Sequence, residues 1–311
     1  DAETPKGGGT GYYNNSTIGN FTLEADTVDV QYVSMKYPSG TSSSTVYRNP
    51  EAEADRQQLI IIFRVYDMNA STYVVQDVKT RMWVTKDFQG VVWDSGTLLL
   101  TDANGTITHS FNPDCNYATY LQKVKVGKIN DTSTPTSYYK ERNSTNRTLK
   151  IVSTNLSAEP TTPNYTAYLR GTSVQIIGRV YDECFAELGP VPYASATLKM
   201  TYPPATTSTV CSPCTNLGDG NYTGNWDTSG KAYRWWSTYM EATDGTYHPG
   251  VTATSTKPNT VFVASAPAMT QPFIDGLPAT AGPWGKTYDF SVKLTDEDYN
   301  AVNLTLLKRI D

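Results

Sequence analysis

Apolar and polar positions along this chain fall into short runs of β character. Leu59 to Tyr66 is a β-branched and aliphatic stretch that ends at Asp67 and is followed by the turn-prone Asn69-Ala70-Ser71. Val74 to Thr85 alternates and carries Trp83, and the alternation returns from Ala194 to Tyr202, where Ala196, Leu198 and Met200 share one face. Gly218-Asp219-Gly220-Asn221 reads as a turn and Tyr222 to Trp226 as a short strand. Lys231 to Ala242 then forms a Trp- and Tyr-rich strand ending near Asp244-Gly245. No segment sustains a helical stripe, so the pattern predicts an all-β chain of tandem sandwiches.

The same pattern repeats. Ile62 to Asp67 is echoed by Ile177 to Asp182 at an offset of 115 residues, and Phe290 to Asp296 ends on a third Asp 114 residues later. Asp102-Ala103-Asn104-Gly105 answers Asp219-Gly220-Asn221-Tyr222 at 117, Phe111 answers Trp226 at 115, and Tyr117 and Tyr120 answer Tyr233 and Trp236 at 116. Features in one order at one near-constant spacing indicate homologous units of sandwich size. The expected division is an N-terminal extension over 1–22, sandwiches over 23–147 and 148–264, and a partial third unit over 265–311. Only fifteen residues follow Asp296, so the third unit reads as a fragment of a longer array or as a half completed by a neighbour's strand.

The strand Val174 to Asp182, the segment Gly218 to Trp226 and the strand ending near Asp244 resemble bacterial and archaeal immunoglobulin-like modules of cell-surface and surface-layer proteins. The likeness covers the second repeat well and the first moderately; in the first, Ala103 stands where the second has Gly220. The third unit, from Ala268 to Pro278 and then Gly285 to Asp296, is also similar to cadherin-like modules. The resemblance implies a structural role in a surface layer, sheath or filament, with an archaeal leaning, and partners that are further copies or neighbouring surface subunits. An adhesin or carbohydrate-binding protein, and a non-catalytic segment of a large secreted hydrolase, are the alternatives.

Composition supports an extracellular reading. Acceptor tripeptides Asn-x-Ser/Thr occur at Asn14, Asn15, Asn20, Asn69, Asn104, Asn130, Asn143, Asn146, Asn155, Asn164, Asn221 and Asn303, where chance would give about four. Asn143 and Asn146 are so close that crowding argues against full occupancy of both. The start at Asp1 has no charged or apolar leader region and reads as a trimmed terminus. The longest aliphatic run, Leu59 to Phe63, is far short of a membrane span. A net charge of −5 with interspersed signs disfavours nucleic acid as a partner.

Candidate chemistry is sparse. The two histidines, His109 in a strand and His248 in a Gly/Pro turn, read as surface or packing residues, since neither has motif partners. No nucleophile elbow, zinc helix or phosphate loop is present, so no enzyme activity is expected. Of Cys115, Cys184, Cys211 and Cys214, the last two have C-x-x-C spacing. A small Cys211–Cys214 loop, or Cys184 joined to one of that pair with a thiol left over, are both compatible with the sequence. Asp296, Asp298 and Asn300 place oxygens at alternate positions, as a calcium loop does, although Ala301 stands where its glycine would be. A solvated acidic turn is the competing reading, and Asp67 and Asp182 read as turn-capping residues. Trp235, Trp236, Tyr233 and Tyr239 could stack sugars, but strand alternation sends one of the adjacent tryptophans into the core.

Overall fold

The computed structural model describes residues 26–48, 54–129, 139–204, 206–274, 277–278, 289–296 and 305. In the first sandwich the strands are β1 (Val28–Lys36), β2 (Thr45–Tyr47), β3 (Leu59–Asp67), β4 (Thr72–Tyr73), β5 (Lys79–Val84), β6 (Thr97–Leu100), β7 (Thr106–Phe111), β8 (Leu121–Lys128), β9 (Arg142–Asn143) and β10 (Arg147–Val152). One sheet sets β1, β3 and β4 in order with β7 also on β3; the other runs β2-β10-β8-β5-β6 with β9 on β8. The second sandwich contains β11 (Ser157–Thr162), β12 (Thr166–Leu169), β13 (Ser173–Tyr181), β14 (Ser195–Tyr202), β15 (Thr206–Cys211), β16 (Thr215–Asn216), β17 (Asn221–Asp227), β18 (Trp235–Asp244) and β19 (His248–Ala264). Its sheets run β11-β13-β17-β16 and β12-β19-β18-β14-β15.

The two topologies match in their main strands, β4 and β9 of the first and β16 of the second being additions. In each, the second strand leaves the first sheet and pairs in parallel with the last strand of the other, β2 on β10 and β12 on β19. That sheet switch, with the remaining pairs antiparallel, is the arrangement of an immunoglobulin-like sandwich. Alternation drives it: β3 buries Leu59, Ile61, Phe63 and Val65, and β14 buries Ala196, Leu198 and Met200. Each sandwich closes over its own core. A three-stranded sheet of β20 (Ala268–Ile274), β21 (Leu277–Pro278) and β22 (Phe290–Thr295) follows.

Three sequence expectations shift. The alternating run from Val74 becomes strand only at Lys79, because Asp77 takes a left-handed φ of 70° and Thr101 ties Val75 and Val78 through its hydroxyl. The seam expected between 147 and 148 falls at the start of β10, whose pairing with β8 and β2 keeps residues to Val152 in the first sandwich. The first repeat also keeps its turn glycine. Gly105 and Gly220 both have positive φ (70° and 78°), and their carbonyls accept from Val65 and Val180 at 2.9 and 3.0 Å, so the uniform offset is 115 and Gly105, not Ala103, answers Gly220.

Candidate functional site

The functional geometry of this molecule concentrates where one sandwich meets the next. Arg48 follows β2, and its amide bonds the Val152 carbonyl at 2.9 Å, so the parallel β2–β10 pair aims its side chain out of the first sandwich. Its Nη2 lies 2.5 Å from Asp182 Oδ2, its Nε donates to Glu183 Oε1 at 3.0 Å, and its Nη1 donates to the Tyr117 carbonyl at 2.7 Å. Asp182 follows β13 and caps the next turn by accepting from the Cys184 amide at 2.9 Å. His248 opens β19 with Nδ1 2.9 Å from Asp244 Oδ2 and Nε2 3.4 Å from Asp182 Oδ2. Asp244 Oδ1 accepts from the amides of Thr246 and Tyr247, and Ser153 donates to both oxygens of Glu183. The side chains of Arg48, Asp182 and His248 are almost wholly buried, at 1%, 1% and 0% exposure.

Charge balance sets the protonation. Burial pushes the Asp182 carboxyl up, but the His248 hydrogen bond and the Arg48 guanidinium outweigh it and hold it below the usual carboxylate range. Burial likewise pulls the His248 imidazole down, and the hydrogen bonds with Asp182 and Asp244 reverse this, holding it above its ordinary value. A carboxylate–imidazole–carboxylate array is a general-base constellation in an open cleft. Here Arg48 occupies the remaining side of Asp182, and the nearby hydroxyl of Thr119 is itself buried, 3.5 Å from Asp182. Such an array is suited to fixing two surfaces against each other, because the buried Arg48 finds its carboxylates only while both sandwiches are in place.

A disulfide spans the same joint. Cys115, between β7 and β8, is bonded to Cys184 of the second sandwich with a Cα–Cα distance of 5.2 Å. This corrects the alternative that joined Cys184 to the C-x-x-C pair: Cys211 and Cys214 are bonded to each other, and no cysteine is free. On another side of the joint, Tyr120 stacks on Tyr193 at 4.9 Å, with Tyr247 5.3 Å from Tyr120. The Tyr193 hydroxyl donates to the Phe88 carbonyl. Burial first, then the neighbouring tyrosines, push that hydroxyl up to about 12, so it stays a donor at neutral pH. A cleft of about 260 Å³ opens beside the disulfide, lined in part by Lys86, Asp87 and Glu187.

No family model matches the chain. No curated protein matches it either. Among solved structures, the crystal structure of a tetra-tandem repeat in the extending region of a large adhesion protein is 13% identical, with a TM-score of 0.38, over 81% of this chain and 52% of that one. The chain thus spans about half the length of that structure. Rst D1-D2 is 12% identical with a TM-score of 0.33, over 76% of this chain and 99% of that one. Dpr2 Ig1-Ig2, solved in complex with DIP-Theta Ig1-Ig3, is 9% identical with a TM-score of 0.34, over 77% and 70%. The fold assignment rests on the strand order itself.

The remaining sequence candidates are dispersed. His248, read as a surface or packing residue in a turn, is instead a buried member of the joint, while His109 packs 6.5 Å from the Phe111 ring. Trp236 is in the core against Trp226 and Tyr202, and Trp235 faces out at 40% exposure. Tyr233 is engaged by Arg170 and Tyr239 by Glu241, and burial takes Trp236 out of the four aromatics that could stack sugars. Asn69, Asn104, Asn143, Asn146, Asn155 and Asn164 are exposed and Asn221 is half-buried; Asn14, Asn15, Asn20, Asn130 and Asn303 lie outside the described residues. Asp296 accepts from the Ser265 hydroxyl, whereas Asp298 and Asn300 also lie outside them. Among the described residues no cluster of His, Cys, Asp or Glu could hold a metal, and no helix is long and apolar enough to cross a membrane.

Sequence reasoning missed Arg48 and Glu183 entirely. The one available signal was the unpaired Cys115: with the short Cys211–Cys214 loop closed, Cys184 is its remaining partner, and that places the Asp182 segment beside the end of the first sandwich.

Proposed function

We propose that this chain is a non-catalytic piece of a glycosylated extracellular surface assembly, such as a surface layer, sheath or filament, in which two sandwiches act as a single stiff segment. The observation that carries this reading is the joint: a disulfide, a buried charge network and a stacked tyrosine cluster all cross it. Ligand-binding modules on flexible tethers need mobile junctions, and relative motion is the default for small interdomain contacts. Here the junction is covalently closed, and Arg48 pairs with Asp182 and Glu183 across it. The two disulfides fit maturation in an oxidising compartment, and the exposed acceptor asparagines fit a glycan-covered outside.

Electron microscopy of the purified full chain and of native surfaces tests this. The expected result is a straight two-lobed particle of constant length that builds a lattice or filament. Dispersed monomers that capture sugars on a glycan array would overturn the structural reading in favour of an adhesin.

A further inference from the structure

Away from the joint, the outer face of the β2-β10-β8-β5-β6 sheet holds an indole that borders an acceptor asparagine. Along β5, Thr80, Met82 and Val84 point into the core, so Trp83 points out, where it is half-buried. Two glycines lie beneath it. A Cβ added to Gly127 on β8 would come 3.1 Å from Trp83 Cζ3, and one added to Gly96, just before β6, would come 2.7 Å from Trp83 Cδ1. Those atoms are at the two ends of one long edge of the ring system, so that edge runs over bare backbone. The Lys125 ammonium lies over the Trp83 ring, 5.3 Å from its centre, and over that of Trp93 at 4.4 Å, so it bridges the two indoles.

Asn143, in β9, is the cross-strand partner of Gly127, and its side-chain amide lies against the same glycine. It is exposed and heads the acceptor tripeptide Asn143-Ser144-Thr145. Ser144 fixes this tripeptide on the sheet edge: its amide donates to the Val126 carbonyl at 2.7 Å, and its hydroxyl accepts from the Val126 amide at 3.1 Å.

We propose that Asn143, rather than its neighbour Asn146, carries an N-linked glycan whose first sugar packs against the Trp83 ring. A pyranose offers a C–H face to an aromatic ring, and the Asn143 amide and Trp83 Cζ3 both border the same point above Gly127, so a sugar on that amide starts beside the indole. The attachment is a group transfer from a lipid-linked phosphoglycosyl donor. The Asn143 amide nitrogen bonds the anomeric carbon, the carbon–oxygen bond to phosphate breaks, the lipid phosphate leaves with that electron pair, and one amide proton goes to the transferase's base. The proposal rests on the reading of the chain as a secreted glycoprotein.

The test uses the full chain secreted from a glycosylating host, with occupancy mapped by glycopeptide mass spectrometry. The proposal expects Asn143 to be occupied, and trimming its glycan to the first sugar to leave the melting temperature unchanged. Asn143→Gln should lower that temperature by about 4 °C in the native background and leave it unchanged in Trp83→Leu. Hydroxyl-radical footprinting supplies a readout independent of that variant's folding: Trp83 labelling should rise at least about twofold when the first sugar is removed. An unoccupied Asn143 among occupied sites, an equal effect in both backgrounds, or unchanged Trp83 labelling overturns the inference alone. A chain with no occupied site overturns the glycoprotein reading as well.

Discussion

Asp67 and Asp182 occupy the same place in the two repeats, and each caps the turn after its strand through one carboxylate oxygen. At Asp182 the second oxygen meets Arg48 and His248, so a local capping position also closes the joint. This dual use fixes the pH response. His248 is held above its ordinary value near 6.5, so its contribution is complete below about pH 6.5 and is lost as pH rises through the raised value. Asp182 is held below its ordinary value near 3.9, so its contribution is present above about pH 3.9 and is lost as pH falls through the lowered value. Thermal midpoints should therefore be highest in the mildly acidic range between, and His248→Gln should flatten the alkaline limb; a limb that survives the substitution assigns it elsewhere. Arg48→Ala, which strands Asp182 and Glu183, should cost about 3–5 kcal/mol in chemical denaturation. Asp182 was legible as a turn cap because its bonding partner is two residues away. Its joint partner Arg48 is 134 positions away, and no local pattern points to it.

At the level of strands and turns much more was legible, because the signals are periodic. A β-branched run marked β3, its echo marked β13 and alternation marked β14, and alternation also divided Trp235 from Trp236. The turn alignment slipped by two residues because identity matching paired Asp102 with Asp219, whereas the geometry is set by the left-handed glycine that follows. Gly105→Ala and Gly220→Ala should each destabilise the sandwich that holds them by about 1–3 kcal/mol, since a Cβ at Gly105 would meet the Val74 carbonyl at 2.9 Å and one at Gly220 the Val191 amide nitrogen at 2.9 Å. Equilibrium unfolding of the paired variants checks this, and Ala103→Gly should leave stability near its starting point. The disulfides are predicted to differ in the same assay. Closing a span of 69 residues restrains the unfolded chain by about 4 kcal/mol, and closing a span of three by about 2 kcal/mol. The paired serine variant at Cys115 and Cys184 should thus lose more than the one at Cys211 and Cys214.

At the scale of the whole molecule, the 115-residue period revealed two like units, while how they are held together depended on residues that differ between the repeats. Cys184 and Glu183 of the second sandwich meet Cys115 and Arg48 of the first and Ser153 at its exit, a pairing of unlike surfaces that a search for self-similarity passes over. Two unfolding transitions that merge in the oxidised protein and separate in the Cys115→Ser/Cys184→Ser variant would express that coupling. The Cys115–Cys184 bond also redirects force. When the chain is pulled from its ends, tension entering at Cys115 crosses to Cys184 through sulfur, and the intervening loop, which includes β8 to β13 and the connection at Ser153, is relieved of the pull. Strands on that bypass can be peeled away but not drawn out. In single-molecule extension, reduction should therefore release about 230 Å of hidden contour, from a span of 69 residues at roughly 3.3–3.6 Å each, so that the redox state decides how far the molecule can give under load.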